Sequence, residues 1–123
     1  MRVLLSIKPE FAEKIFTGEK KYEFRRTIFK RADVRGVMVY ASAPISKVIG
    51  EFEIDTIISA DLNTLWAKTE SSSGITKDYF FRYFINRESG HAIKINRPIR
   101  YRLPLCIKGD LGMTPPQSYA YID

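Results

Sequence analysis

Lys20, Lys21, Glu23 and Arg25, in the stretch GEKKYEFRRTIFKR from Gly18 to Arg31, have the types and spacing to do chemistry. A carboxylate set among cations can orient a lysine or arginine toward a ligand, accept a hydrogen bond from a base edge, or act as a general base. Arg25 carries a planar fork of donors suited to phosphate or to a base edge. The plainer alternative is a cross-strand ion pair of little energetic weight. From Lys20 to Arg31 there are six basic residues and one acid, a net of +5 in twelve residues against +6 for the whole chain. Tyr22, Phe24, Ile28 and Phe29 are interleaved with those charges, so the stretch is a folded element and not a disordered basic tail. A concentrated positive surface on a folded element suits an anionic partner, nucleic acid first among them.

Other groups of residues carry weaker signals. Lys8, Tyr40, Ser42 and Lys47 fall at the ends of expected strands, and strand ends of a small barrel can converge around a mouth. There Tyr40 can stack on a base or give a proton, and a lysine can hold phosphate; scattered surface polarity explains the same residues equally well. Glu51, Glu53 and Asp55 share one face of a strand, where Mg²⁺ or Mn²⁺ could bind, although a solvated face is the simpler account. A second basic cluster, Lys94, Arg97, Arg100, Arg102 and Lys108, has no acid between Glu88 and Asp110. Arg26, Lys94 and Arg97 join the candidate phosphate contacts. The single histidine, His91, rules out a two-histidine ribonuclease scheme, and one Cys with one His cannot close a zinc site. No phosphate-cradling G-x-x-x-x-G-K-[ST] loop occurs, and no G-x-S-x-G.

The elements that position these residues follow from periodicity. Val3–Ile7 reads as a buried strand, and Pro9 opens a helix with Phe11, Ile15 and Phe16 on one face, closed by Gly18. Lys21–Arg26 alternates, with Tyr22 and Phe24 on one face and Lys21, Glu23 and Arg25 on the other. Whether Lys20 or Lys21 reaches a cleft stays open at this level. Val37–Ser42 and Lys47–Ile58 are further strands, and Gly50 marks a bulge or a close approach to the backbone. Asp61 and Thr76 cap two helices, and Tyr79, Phe80, Tyr83 and Phe84 make a stripe best read as core. Gly90–Ile95 and Pro98–Ile107 are two more strands, and the tail ends in two tyrosines that pack down on the fold.

The 123 residues, 45% hydrophobic and 28% charged, fit one domain with one core. No apolar run is long enough for a membrane span, the N-terminus lacks a signal-peptide pattern, and the lone Cys106 excludes an internal disulfide. A cytoplasmic setting is expected. The order β-α-β-β-β-α-α-β-β predicts an α+β, mainly β, domain in which a mixed sheet curls into a small barrel with flanking helices.

With these features in place, LLSIKPEFAEKIFTGEKKYEFRR resembles the opening of ASCH domains, a branch of the PUA-like superfamily. The hallmark positions are Gly18, Lys20, Glu23 and Arg25, and VYASAP, KVIGEFEI, GHAIKI and PPQSYAYI extend the resemblance along nearly the whole chain. The resemblance implies a single PUA-like domain over residues 1–123, with a cleft under the Gly-Lys-Glu-Arg element. It also implies binding of RNA or a nucleotide-like ligand, in RNA processing or in translation- or transcription-linked regulation. The binding set would be Lys8, Lys20, Lys21, Glu23, Arg25, Arg26, Tyr40, Ser42, Lys94 and Arg97. Some family members are enzymes, metal-dependent ribonucleases or an acetylcytidine amidohydrolase. As an enzyme this chain would use Lys20, Glu23, Tyr40, Lys47 and Ser118, with Mg²⁺ or Mn²⁺ only for a ribonuclease and otherwise no cofactor or metal. The amidohydrolase pattern is met in part: Glu23 stands where that branch has threonine, and Ser71-Ser72-Ser73, beside Glu70, where it has glutamate. A monomer or weak homodimer away from membranes is the expected state.

Overall fold

A computed structural model describes residues 1–123. The chain runs β1 (Arg2–Ile7), α1 (Pro9–Thr17), β2 (Tyr22–Arg25), β3 (Gly36–Ala41), β4 (Lys47–Asp61), α2 (Leu62–Thr69), a 3-10 turn (Glu70–Ser72), α3 (Lys77–Tyr83), β5 (Ser89–Leu105), α4 (Ile107–Leu111) and β6 (Tyr119–Ile122). No helix is long and apolar enough to cross a membrane.

All six strands join one sheet, in the order β2-β5-β4-β3-β1-β6. β1 and β3 are parallel and the other neighbours antiparallel. β1 and β3 read as continuous apolar runs because both of their faces are covered. Val3, Leu5, Ile7, Val37 and Val39 pack with Ala12 and Ile15 of α1, Phe52 and Ile93. Leu4 and Met38 turn the other way, against Tyr40, Val48 and Ile107 of α4. A third cluster, Phe24, Leu65, Trp66, Phe80, Phe84 and Ala92, lies beneath α2 and α3.

The mixed, strand-rich α+β architecture is as expected, but the sheet is not a closed barrel: β2 and β6 form its two edges. The long central strands β4 and β5 shift register at Val48/Gly50, Glu51/Glu53 and Ile54/Ile57. Such bulges bend strands and deepen the twist. At Gly50 the ring of Phe16 lies where a side chain would go, 2.4 Å from an added Cβ. α1 therefore sits tight on the sheet only because this position has none.

The helix caps follow the sequence. Asp61 accepts from the Thr64 N–H, Thr76 from the Tyr79 N–H, and Gly18 ends α1 at φ 86°. Three details differ from expectation. The two strands expected around Pro98 are one strand, because Arg97 at φ 49° and the β4 shifts absorb the proline in a bend. Cys106 and Ile107, expected in that strand, begin α4, where Cys106 Sγ caps the Gly109 N–H and Asp110 reaches back to the Cys106 N–H. The tyrosine tail does more than pack: it adds β6 antiparallel to β1.

A cleft built on Lys20, Glu23 and Arg25

A cleft of about 550 Å³ opens between α1, β2, α3 and the segment leading into β6. Its floor is the turn from α1 into β2. There the Lys20 N–H donates to the Lys14 carbonyl at 3.0 Å and the Lys21 N–H to the Ser72 carbonyl at 2.8 Å. This pinning sends Lys20 inward and Lys21 out to solvent. Strand alternation starts only at Tyr22, so it does not govern Lys20. Lys20 is therefore the lysine of the cleft, and Lys21 does not line it.

Lys20 is 2% exposed. Its Nζ donates to the Ser73 carbonyl at 3.1 Å and lies 4.9 Å and 5.5 Å from the ring centres of Phe24 and Phe11. Burial holds the amine below the usual lysine range; Glu23 opposes that shift and Lys14 adds to it. Gly74, at φ +71°, makes room for the stem: a Cβ there would sit 2.6 Å from Lys20 Cβ. The serine run at residues 71–73 thus enters the site through its backbone, and the neighbouring Glu70 is exposed and outside the cleft.

Glu23 and Arg25 are buried on the same side of β2 and pair at 3.4 Å. Most of the Arg25 fork goes to backbone and serine. It donates to the Ser118 Oγ at 2.7 Å, the Ser118 carbonyl at 3.1 Å and the Ser6 carbonyl at 3.4 Å. Ser118 immediately precedes β6 and Ser6 lies on β1, so one guanidinium joins the two edges of the open sheet. Ser6 adds to this seam by donating from its Oγ to the Pro116 carbonyl at 2.8 Å.

Around the floor stands a rim that the sequence reading placed only in part. Lys8, Arg26, Ser42 and Ser118 line the cleft. Tyr79, Tyr83, Phe11 and Arg87 line it too, and these were missed. The stripe read as core divides. Phe80 and Phe84 are buried, while Tyr79 and Tyr83 are half-buried and turn to the cleft. The signal lay in the residue types: a tyrosine beside each phenylalanine on a helix is rotated off the core direction, and its hydroxyl needs a partner. Tyr83 Oη finds one in the Phe24 carbonyl at 3.1 Å, and burial raises the phenol's pKa, which keeps it neutral.

Besides Lys21, four of the expected residues lie elsewhere. Tyr40 packs among Leu4, Met38, Val48 and Ile107, because unbroken β3 alternation puts it on the Met38 face, away from the cleft. Lys47 is exposed at the start of β4, outside the cleft. Lys94 and Arg97 form ion pairs with Asp55 and Glu53 across β4, and Arg100 pairs with Glu13 of α1. The second basic cluster is thus largely matched by acids that are distant in sequence. Those same acids were the candidate hard-metal face. Glu51 accepts from Tyr101 Oη at 2.8 Å and pairs with Arg2, which leaves three separate ion pairs and no convergent site. Nowhere do three His, Cys, Asp or Glu side chains come together to hold a metal.

The family model of the ASCH domain matches residues 5–99. A protein called an ASCH domain-containing ribonuclease, from Zymomonas mobilis, is 31% identical over 122 residues, spanning 97% of this chain and 82% of its own length. The crystal structure of ASCH from Zymomonas mobilis superposes with a TM-score of 0.90 at 29% identity, covering 99% of this chain and 87% of that one. A tyrosine-to-phenylalanine variant of the Zymomonas protein has a TM-score of 0.90 at 28% identity, with coverages of 99% and 90%.

Proposed function

This chain belongs to the ASCH domain family, and on that premise we propose that its cleft binds RNA, with Lys20, Glu23 and the tyrosines of α3 around one nucleotide and the rim cations on phosphate. The observation that carries this reading is the composition of the cleft. Five cations, Lys8, Lys20, Arg25, Arg26 and Arg87, line the same hollow as Tyr79 and Tyr83, against one acid, Glu23. Aromatic surface beside concentrated positive charge is what single nucleic-acid strands use. The contribution to RNA processing or regulation belongs to the same proposal.

A second reading is favoured by the name of the Zymomonas relative: the cleft also cleaves RNA. Lys20 supports it, because a buried amine with a lowered pKa beside a carboxylate can act as a base. In such a cleavage the amine takes the proton of a ribose 2′-hydroxyl, the 2′-oxygen bonds to phosphorus, and the 5′-oxygen leaves with a proton from a second group. The cleft offers a single carboxylate, so this reading assigns no protein-held metal.

Short single-stranded RNA, incubated with the wild type and with Lys20→Ala, with and without EDTA, separates the readings. Binding without product supports the binding module. Product that Lys20→Ala abolishes supports the nuclease. No binding of any RNA at low salt refutes both.

A further inference from the structure

The helix α3 presents to the cleft a feature that charge alone does not require. Tyr79 and Tyr83, four residues apart, lie with ring centres 6.4 Å apart and planes within 12° of parallel. The pair is braced by neighbouring aromatic rings. Phe11 packs edge-on against Tyr79 at 5.0 Å, and Phe84 packs edge-on against Tyr83 at 4.8 Å. The hydrogen bond from Tyr83 Oη to the Phe24 carbonyl fixes its ring relative to β2. Exposed cations cover the rings: of those lining the cleft, Lys8 Nζ lies 5.5 Å from the Tyr79 centre and the Arg26 guanidinium 4.8 Å from that of Tyr83, while Arg82, outside the lining, lies 5.9 Å from the Tyr79 centre.

We infer that Tyr79 and Tyr83 form a stacking platform for an unpaired nucleobase, which restricts the cleft to single-stranded RNA. The inference rests on the RNA reading above and deepens it. An exposed cation on an aromatic ring is held weakly, whereas a base stacked on the same ring is held more strongly and brings its own phosphate. A base entering the cleft therefore displaces Lys8 or Arg26 from the ring. The freed side chain, long and solvated, turns to the phosphate that accompanies the base. The two tyrosines and two cations thus exchange one set of contacts for another with no charge left unpaired. A base inside a duplex has both faces occupied by its neighbours and cannot reach a helix-borne platform inside a cleft of about 550 Å³.

The test uses the full chain and a labelled octamer RNA with 2-aminopurine at its centre, the same octamer as a blunt duplex, and an octamer of abasic ribose phosphates. Binding of the single strand is expected to quench 2-aminopurine and to be at least about tenfold tighter than binding of the duplex. Tyr79→Leu and Tyr83→Leu are expected to weaken the base-bearing strand by about tenfold each and to leave the abasic strand unchanged. Tyr79→Phe and Tyr83→Phe keep the ring and are expected to keep the affinity. Equal affinity for duplex and single strand, no quenching, or equal losses on the abasic strand would overturn the platform while leaving RNA binding intact. No binding of any octamer strikes the RNA reading itself. Tyr79 is half-buried at the rim, so its leucine variant reports even where the Tyr83 variant unfolds.

Discussion

Fluorescence anisotropy of a short single-stranded RNA, followed from about 50 to about 200 mM salt, distinguishes the cations that meet phosphate from those that build the cleft. Five cations line it. Arg25 is buried and bonded to Ser6, Ser118 and Glu23, and Lys20 is 2% exposed with its Nζ on Ser73. That leaves Lys8, Arg26 and Arg87, all exposed, to release counterions. Three phosphate contacts on a single strand give a log–log slope of about −2, and five would give about −3.5. Over a fourfold rise in salt, the first loses roughly 20-fold in affinity and the second roughly 130-fold. Neutralising Arg87 as Arg87→Gln should flatten the slope by about 0.7, whereas Lys94→Gln and Arg97→Gln should leave it unchanged, since both residues already face acids across the sheet. A slope steeper than about −3, or one that responds to Lys94 and Arg97, would refute the division between rim and floor.

Other perturbations probe the floor and its supports. Gly74→Ala forces a side chain into the left-handed region and onto the stem of Lys20; a loss of about 1–3 kcal/mol in denaturant unfolding is expected, together with weaker RNA binding. Phe80→Ala empties the centre of the aromatic cluster that carries α3, and should cost about 3–5 kcal/mol by the same measurement. Lys20 has a definite pH signature. Its folded amine holds a proton less tightly than the unfolded one, so the penalty for burying it is complete below the lowered pKa and is relieved as pH rises toward 10.5. The stability of the wild type relative to Lys20→Met should therefore rise with pH as pH approaches 10.5 from below, and a pH-independent difference would refute this.

Much of the frame was legible in the sequence because local rules decided it. Pro9 and Gly18 bound α1, and Asp61 and Thr76 cap the later helices where expected. Lys20, Glu23 and Arg25 were legible as a unit, but the direction of Lys20 was not: a backbone hydrogen bond from Lys21 to Ser72, far along the chain, sets it. The basic cluster at Lys94 and Arg97 looked unopposed because its acids lie on β4, and only the β4–β5 register brings them opposite. Tyr40 stands near the end of its strand as expected, but it shares the Met38 face, and only the packing of α4 and β4 against that face shows that the cleft lies on the other side. Local signals fixed element boundaries well; facing partners came from pairing that no local signal encodes.

Arg25 ties together the two strands that are farthest apart in the hydrogen-bonded order of the sheet, with five strand pairings between them. The same guanidinium holds Glu23. The carboxylate at the bottom of the cleft is therefore coupled to the docking of the last strand. If β6 peels from β1, Arg25 loses both Ser118 contacts and keeps only the Ser6 carbonyl, so the counter-charge beside Glu23 is less firmly held. The four-residue β6 ladder and the chemistry of the floor thus share one mechanical joint. Anything that pulls on the end of the chain, a fused partner included, acts on the cleft through this joint without touching it.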